Sequence, residues 1–296
     1  MTPARPGVAD LAELVRVPAV LSVPGDALAG AAAAGWPAGA RTAFAPAAGA
    51  CFYLAGMALN DYSDRELDAV ERPERPIPSG RVTPGQALGL AGGLTGAGLL
   101  LATGLGRRGF GVALAVAAAA WGYDLLAKQT PAGPLVMGAA RGLDVMLGAC
   151  GHRAALPAAL ATGAHTVAVT ALARGEVNGS DPVTGWSAVA TTAGVATATV
   201  VGAVTGRGRW YDAVATAGLA GLYGVTVGRA QAGAAASPDA GTVRDATRRG
   251  IAGLLPLQAA QLAAAATPLA GLALVGLAPS CGRSPAASRR PEDRRA

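Results

Sequence analysis

Long runs without charged residues alternate along this chain with short charged segments. A helix needs about 20 consecutive apolar residues to cross a bilayer, and several runs approach or exceed that length. The pattern therefore predicts an all-α fold, a polytopic transmembrane helical bundle of about nine spans. The predicted spans are residues 11–35, 42–59, 83–105, 110–126, 134–149, 156–173, 183–205, 211–227 and 251–277. They make up one predicted membrane domain, residues 1–279, followed by a basic tail, residues 280–296, that is predicted to be disordered.

The composition favours a membrane protein over a soluble one. Of the 296 residues, 52% are hydrophobic and only 14% are charged, and the mean hydropathy is +0.39. Soluble domains typically have about a quarter of their residues charged. Much of the apolar content is Ala and Gly, and such small residues let transmembrane helices approach closely. The alternative, a soluble Ala-rich helical protein, is disfavoured by uncharged runs such as 183–206 and 250–282.

The net charge of +6 does not indicate nucleic-acid binding. Basic residues occur singly or in pairs at the ends of apolar runs, which is typical of loops in membrane proteins. No surface that combines basic and aromatic residues is evident, so nucleic acid is not an expected partner. The three cysteines are far apart and lack the spacing of a metal site.

The most acidic segment, residues 60–81, reads NDYSDRELDAVERPERPIPSGR and holds six of the eighteen acidic residues. Read as the end of a helix, Asn60, Asp64 and Asp68 recur every four residues and share one face. No lysine lies between them, so we expect a bound cation to relieve their repulsion. Ligand sets made only of oxygen atoms suit a hard ion such as Mg²⁺. The alternative is a solvated charged loop between two helices.

The order N-D-x-x-D-x-x-x-D, followed by R-P-x-R-P-I-P-S-G-R, resembles the first aspartate-rich motif of the UbiA family of membrane prenyltransferases. The resemblance implies a UbiA-like bundle and Mg²⁺-dependent transfer of a prenyl group from an isoprenyl diphosphate to an acceptor. It implies that Asn60, Asp64 and Asp68 are metal ligands. It also places Asp61, Asp64 and Asp68 among the catalytic residues. Asp61 is offset by about 100° on the helix, so a supporting role beside the ligands is expected for it.

Most of the family has a second motif, D-x-x-x-D, between the sixth and seventh spans. This chain instead has A-R-G-E-V-N-G-S-D at residues 173–181. We predict that Glu176 is the catalytic replacement ligand, with Asn178 or Asp181 assisting as a metal ligand and Arg174 touching a phosphate. An ordinary loop carboxylate is the alternative for Glu176. The R-G-E-V pattern resembles the EboC-type prenyltransferase branch, and the departure leaves the second metal and the acceptor class open.

The segment Y-D-x-x-x-K-x-T-P, residues 123–131, resembles the Tyr…Lys…Thr…Pro segment of the same family. Lys128 is the only lysine in the chain, and a compact ammonium group suits phosphate. A topology marker without a catalytic role is the alternative for Lys128. The residues predicted to bind the donor diphosphate are Tyr123, Lys128, Arg72, Arg75 and Arg174.

Asp26, Arg141 and Asp144 are charged residues inside predicted spans. Asp26 is either functional or part of a helix break at residues 24–26, because carboxylates within a membrane are costly. Arg141 and Asp144, at i and i+3, are expected to pair on one helical face. Their pair is either structural or part of an acceptor pocket.

The distribution of Lys and Arg predicts the orientation of the chain in the cell membrane. With a cytoplasmic N-terminus, the inside segments carry twelve such residues and the outside loops carry six. This bias places the acidic segment and the other active-site loops in the cytoplasm. Five arginines in the tail oppose the assignment, so a model with eight spans stays open.

Three other functions are alternatives to prenyl transfer. A membrane transporter with an acidic cation site predicts internal repeats, and the acidic motif has no second copy here. A soluble prenyl synthase or terpene cyclase predicts charged faces on every helix. A CDP-alcohol phosphotransferase requires D-G-x-x-A-R, which is absent near Asp61. The expected partners are an isoprenyl diphosphate, the lipid bilayer and an unknown aromatic or small polar acceptor.

Overall fold

A computed structural model describes residues 6–16, 23–35, 39, 41–206 and 208–276. Within these ranges the regular secondary structure is entirely helical, as predicted. The helices are α1 (Val8–Leu14), α2 (Val23–Ala33), α3 (Arg41–Ser63), α4 (Arg65–Glu71), α5 (Pro84–Ala102), α6 (Gly106–Gly122), α7 (Gly133–Gly148), α8 (Leu156–Ala173), α9 (Pro182–Thr205), α10 (Trp210–Ala236), α11 (Ala240–Ala252), α12 (Leu254–Ala264) and α13 (Pro268–Gly276). Short 3-10 turns lie at Thr103–Leu105 and Arg153–Ala155, and a π-helical turn lies at Tyr123–Ala127.

Four stretches of the described chain are long and apolar enough to cross a membrane. They are Ala43–Ser63, Pro84–Ala127, Arg153–Ala173 and Pro182–Thr205. The second stretch contains both α5 and α6, which the 3-10 turn at Thr103–Leu105 separates. A helical membrane protein is therefore supported, whereas the expected count of about nine spans is not confirmed.

The two ends of the described chain differ most from the predicted spans. The first predicted span, 11–35, is divided between α1 and α2, and residues 17–22 lie outside the described part. The ninth, 251–277, is divided between α12 and α13, because Ala266 has a positive φ of 59° and Pro268 begins the second helix. The segment 228–250, which separates the eighth and ninth predicted spans, is mostly helical, since α10 extends to Ala236 and Asp239 caps α11. The predicted disordered tail lies outside the described residues.

Helices α2 and α7 cross in direct backbone contact. A Cβ atom on Gly30 would overlap the carbonyl oxygen of Val145, and one on Gly148 would overlap the carbonyl oxygen of Ala27. Small residues allow this approach. The close packing increases van der Waals contact, which drives helices together in lipid, where the hydrophobic effect does not. The crossing brings the charged residues of the two helices within reach of each other.

An ion pair lies beside this crossing. Asp26 is fully buried, and its Oδ2 lies 2.6 Å from Nη2 of Arg141. Gln258 of α12 donates a hydrogen bond from Nε2 to Oδ1 of Asp26 at 2.8 Å. The expected partner of Arg141, Asp144, is farther away at 4.0 Å. Helix α2 begins at Val23, so Pro24, Gly25 and Asp26 lie in its first turn.

We expect the Gly148→Ala substitution to destabilise the bundle, because the added methyl group would push α7 away from Ala27. Overpacking of this kind costs about 1–3 kcal/mol. Thermal unfolding in detergent should show a lower midpoint for this variant.

The matched control is Gly218→Ala in α10, where an added Cβ would meet no atom within 4 Å. Its midpoint should stay the same or rise, since Ala favours helix over Gly. Equal midpoints for both variants would contradict the close-crossing argument.

Candidate active site

The acidic segment continues the helical register across the join between α3 and α4. The N–H of Asp64 donates to the carbonyl oxygen of Asn60 at 2.9 Å, and the N–H of Asp68 donates to that of Asp64 at 2.8 Å. Both bonds connect residues four apart, as in an α-helix. Asn60, Asp64 and Asp68 therefore stay on one side of the chain, as their spacing predicts.

Two arginines, Arg75 and Arg16, pair with Asp61, and Arg75 also approaches Asp68. Oδ1 of Asp61 lies 2.6 Å from Nη1 of Arg75 and 3.1 Å from Nη2 of Arg16. Arg75 also lies 3.9 Å from Asp68, as does Arg72. Asp61 is 3% exposed, and its two guanidinium partners offset the cost of burying the carboxylate. Two predicted diphosphate-binding residues, Arg72 and Arg75, are thus placed among the acidic side chains.

The π-helical turn brings Lys128 and a further carboxylate to the same place. The N–H of Lys128 donates to the carbonyl oxygen of Tyr123, five residues back, at 2.8 Å. Such a turn is one residue wider than an α-helical turn and often occurs at functional sites. Nζ of Lys128 lies 2.5 Å from Oδ2 of Asp64 and 3.7 Å from Oδ1 of Asp124. Asn60 donates from Nδ2 to the same Asp124 oxygen at 3.1 Å.

Asp124 was not among the predicted site residues. It is 9% exposed and joins Asn60 to Lys128 through one carboxylate oxygen. Its sequence signal was available, since it stands four residues before Lys128 in the segment that pointed to that lysine. The expectation that the acidic face needs an external cation was incomplete. Cations from other segments of the chain already pair with these carboxylates.

The oxygen atoms around the Lys128 ammonium group are of the kind that binds a hard cation. Among the described residues, no three His, Cys, Asp or Glu side chains are close enough to hold a metal ion together. The Lys128 ammonium group, however, lies among oxygen atoms of Asp64, Asp124 and Ser63, the last at 3.4 Å. This position already holds a positive charge between carboxylates. Oxygen ligands of this type are those that Mg²⁺ prefers.

The loop after α8 lies beside the Lys128 segment. Nη2 of Arg174 donates to the carbonyl oxygen of Thr130 and lies 3.4 Å from that of Lys128. The main-chain oxygen of Glu176 accepts a hydrogen bond from Nη1 of Arg244 in α11 at 2.8 Å. The Glu176 side chain is half-buried and makes no ion pair within the described ranges. Its backbone is thus anchored, and its carboxylate remains available.

Asp181, the other carboxylate of this loop, caps α9. Its Oδ1 accepts from the N–H of Thr184 at 2.9 Å, and its Oδ2 accepts from the Thr184 hydroxyl at 2.6 Å. These hydrogen bonds hold the pKa of Asp181 below its ordinary value. The exposed Asn178 lies in the same loop. The geometry accounts for Asp181 as a helix cap, and its role as a metal ligand stays a prediction.

Arg81 fixes the end of the acidic segment against α1. Its guanidinium lies 2.8 Å from Oδ1 of Asp10 and 2.7 Å from Oε2 of Glu13, and it donates to the carbonyl oxygen of Glu74 at 2.8 Å. Hydrogen bonding to Arg81 lowers the pKa of Asp10. These contacts are largely exposed, so their net contribution is small. They still restrain the segment that carries Arg72 and Arg75.

Two curated proteins are similar to segments of this chain. An 87-residue segment, 29% of this chain, is 41% identical to digeranylgeranylglyceryl phosphate synthase of Methanopyrus kandleri and covers 32% of that protein. A 69-residue segment, 23% of this chain, is 41% identical to the bacteriochlorophyll synthase 33 kDa chain of Rhodobacter capsulatus and covers 23% of it. The chain thus spans about a third or less of these curated relatives.

The fold and a family model agree with each other. A UbiA homologue from Archaeoglobus fulgidus, solved with GPP and Mg²⁺, superposes with a TM-score of 0.64 over 90% of this chain and 99% of that one, at 13% identity. At this identity the likeness shows the fold alone. The model of the UbiA prenyltransferase family matches residues 21–240, well over half of the chain. The protein therefore belongs to the UbiA prenyltransferase family.

Proposed function

We propose that this protein is a Mg²⁺-dependent membrane prenyltransferase that moves an isoprenyl group from an isoprenyl diphosphate to an acceptor. The observation that carries the proposal is the meeting of Asn60, Asp64, Asp124 and Lys128 at the end of apolar helices. Carboxylates for a metal and a cation for phosphate lie together there. The named relatives, both synthases, and the homologue bound to GPP and Mg²⁺ support the same chemistry.

In this proposal, the metal ligands come from two segments of the chain. Asn60, Asp64 and Asp68 would hold Mg²⁺ from the junction of α3 and α4, and Glu176 would contribute from the loop after α8 with Asp181 as a further ligand. Asp124 joins the first set, because its oxygen already faces Asn60 and Lys128. When bound, Mg²⁺ would neutralise charge that develops on the diphosphate as it leaves.

The chain's own cations bind the diphosphate. Lys128 now pairs with Asp64, and its ammonium group would be free to contact a phosphate oxygen once Asp64 served as a metal ligand. Arg72 and Arg75 approach from the acidic segment, while Tyr123 and Arg174 border the Lys128 segment. Such preorganised cations stabilise the leaving group in the transition state.

Transfer then proceeds by cleavage of the bond between the allylic carbon and the diphosphate oxygen. The electron pair leaves with the diphosphate, and the acceptor attacks the allylic cation. The acceptor's proton passes to a diphosphate oxygen or to Asp61. Asp61 is held in position for this by Arg16 and Arg75. The apolar prenyl tail lies along the interior of the bundle.

The proposal also includes the topology of the enzyme and the class of its acceptor. The protein is a multi-pass cell-membrane enzyme with about nine spans in one domain, residues 1–279. Its active-site loops face the cytoplasm, as the bias of Lys and Arg indicates. The acceptor is an aromatic or small polar molecule, and membership of the EboC-type branch stays a prediction. The relatives with different named activities show that the family model alone does not identify the acceptor.

Release of diphosphate tests the function directly. Purified protein would receive geranyl, farnesyl or geranylgeranyl diphosphate with Mg²⁺ and a lipid-free cell extract as the acceptor pool. We expect release that requires both Mg²⁺ and the extract, because transfer consumes both substrates. Fractionation of the extract would then identify the acceptor. If the protein bound none of the three donors in the presence of Mg²⁺, the prenyltransferase proposal would be contradicted and the transporter alternative favoured.

Removal of one charge at the acidic face should stop turnover. We expect Asp64→Asn or Asp68→Asn to lower Mg²⁺-dependent release on the order of 100-fold or more, since each loses an anionic ligand next to the leaving group. Steady-state release at saturating donor would measure the effect.

Glu66→Gln is the matched control for these two variants. Glu66 lies in the same acidic segment, but its side chain is exposed and pairs with Arg65 at 3.1 Å. Its release rate should stay near that of the unsubstituted protein. Full activity in both Asp variants would refute the assignment of this face.

The second loop makes a separate prediction. Glu176→Gln should lower Mg²⁺-dependent release at least tenfold if its carboxylate replaces the second motif. Asp181→Asn separates the two roles of that residue, because Asn caps helices about as well as Asp. As a metal ligand, Asp181 requires its charge, so we expect slower release without a change in thermal stability. Normal release by either variant would return that residue to a structural role.

A further inference from the structure

An open groove runs between α10 and α11, separate from the acidic face. Its volume is about 620 Å³. The walls combine apolar and charged positions, of which the principal ones are Val225, Ala230, Gly233, Arg229, Asp245 and Arg249. The mixture of apolar and charged positions suits an amphipathic ligand.

The two helices that form the groove indicate where it lies relative to the membrane. Helix α11 buries Val243 and Ala246 and exposes Arg248 and Arg249, so it presents a strongly polar outer face. Exposed arginines are costly among acyl chains, so this outer face lies in water or among lipid headgroups. On α10, the exposed apolar Val225 is followed one turn later by the exposed Arg229. The change from apolar to basic places the groove at the same boundary.

The charges of the groove do not balance. Nε of Arg249 pairs with Oδ2 of Asp245 at 2.9 Å. Arg229 lines the groove without an ion pair among the described residues. Two guanidinium groups therefore face one carboxylate. Guanidinium groups match the geometry of phosphate oxygens and can bind them through two parallel hydrogen bonds.

We propose that the groove between α10 and α11 binds the headgroup of an anionic phospholipid. Arg229 and Arg249 contact the phosphate, while the acyl chains pass Val225 and continue along the exposed Leu222 of α10. A basic pocket between helices at the membrane boundary favours lipids with net negative charge over zwitterionic ones. The proposal does not depend on the prenyl-transfer activity.

The lipid would rest on a helix that also supports the candidate active site. Arg244 lies on α11 one turn before Arg248, and it donates to the main-chain oxygen of Glu176 at 2.8 Å. A headgroup bound to α11 therefore stabilises the element that anchors the Glu176 loop. The groove therefore shares α11 with the contact that anchors the backbone of Glu176.

The test measures lipid retention by the full chain. Delipidated protein in detergent would be titrated with phosphatidylglycerol or phosphatidylcholine of identical acyl chains, and bound lipid would be counted by native mass spectrometry. We expect clear preference for phosphatidylglycerol. Arg229→Ala should weaken its binding about fivefold, the equivalent of about 1 kcal/mol for one arginine near anionic lipid.

Two further variants make the test specific. Arg248→Ala removes the same charge from the same helix outside the groove, and should weaken binding less than twofold. Asp245→Asn removes the one carboxylate that competes for Arg249, and should leave binding unchanged or tighter.

Three results would overturn the proposal. The first is equal retention of the two lipids by the unsubstituted protein. The second is an equal loss in Arg229→Ala and Arg248→Ala, which would indicate a diffuse basic surface. The third is complete displacement of phosphatidylglycerol by inorganic phosphate, which would identify a phosphate site that does not recognise the lipid.

Discussion

A charge inside an apolar helical bundle needs a partner, and this constraint shapes both ends of the molecule. Asp26 has no exposed surface, and its ion pair with Arg141 at 2.6 Å connects α2 to α7. The backbones can come this close only because Gly30 and Gly148 stand at the crossing. The packing of small residues and the pairing of charges therefore support each other, since a buried carboxylate without its partner would be strongly unfavourable.

The same constraint explains the resting arrangement of the acidic face. Asp64 pairs with Lys128, and Asp61 pairs with Arg75 and Arg16. The carboxylates that suit a metal ion thus pair with the basic side chains that suit a diphosphate. A substrate that brings both a divalent cation and phosphate groups can exchange these partners without leaving a charge unpaired. Binding of the two charged components would then be coupled, because each releases the residues that the other needs.

The loop after α8 is held by contacts with elements distant in the sequence. Arg174 joins the loop after α8 to the segment of Lys128, and Arg244 holds the backbone of Glu176 from α11. Helix α11 itself lies between this loop and the groove at Arg229. The backbone of Glu176 is therefore held by α11, whose Val243 and Ala246 pack against Leu172 of α8 in a buried cluster.

The sequence alone determined the helical class, because uncharged runs of this length are stable chiefly as helices in a membrane. It also determined the shared face of Asn60, Asp64 and Asp68, since a repeat of four residues is a local property of a helix. The pairing of Lys128 with Asp64 and the part played by Asp124 were decided only by the tertiary structure. These contacts join residues 64 positions apart and depend on a π-helical turn, which no local pattern distinguishes from an ordinary helix. The break between α12 and α13 differs, because Pro268 is a local signal for it within an otherwise apolar run.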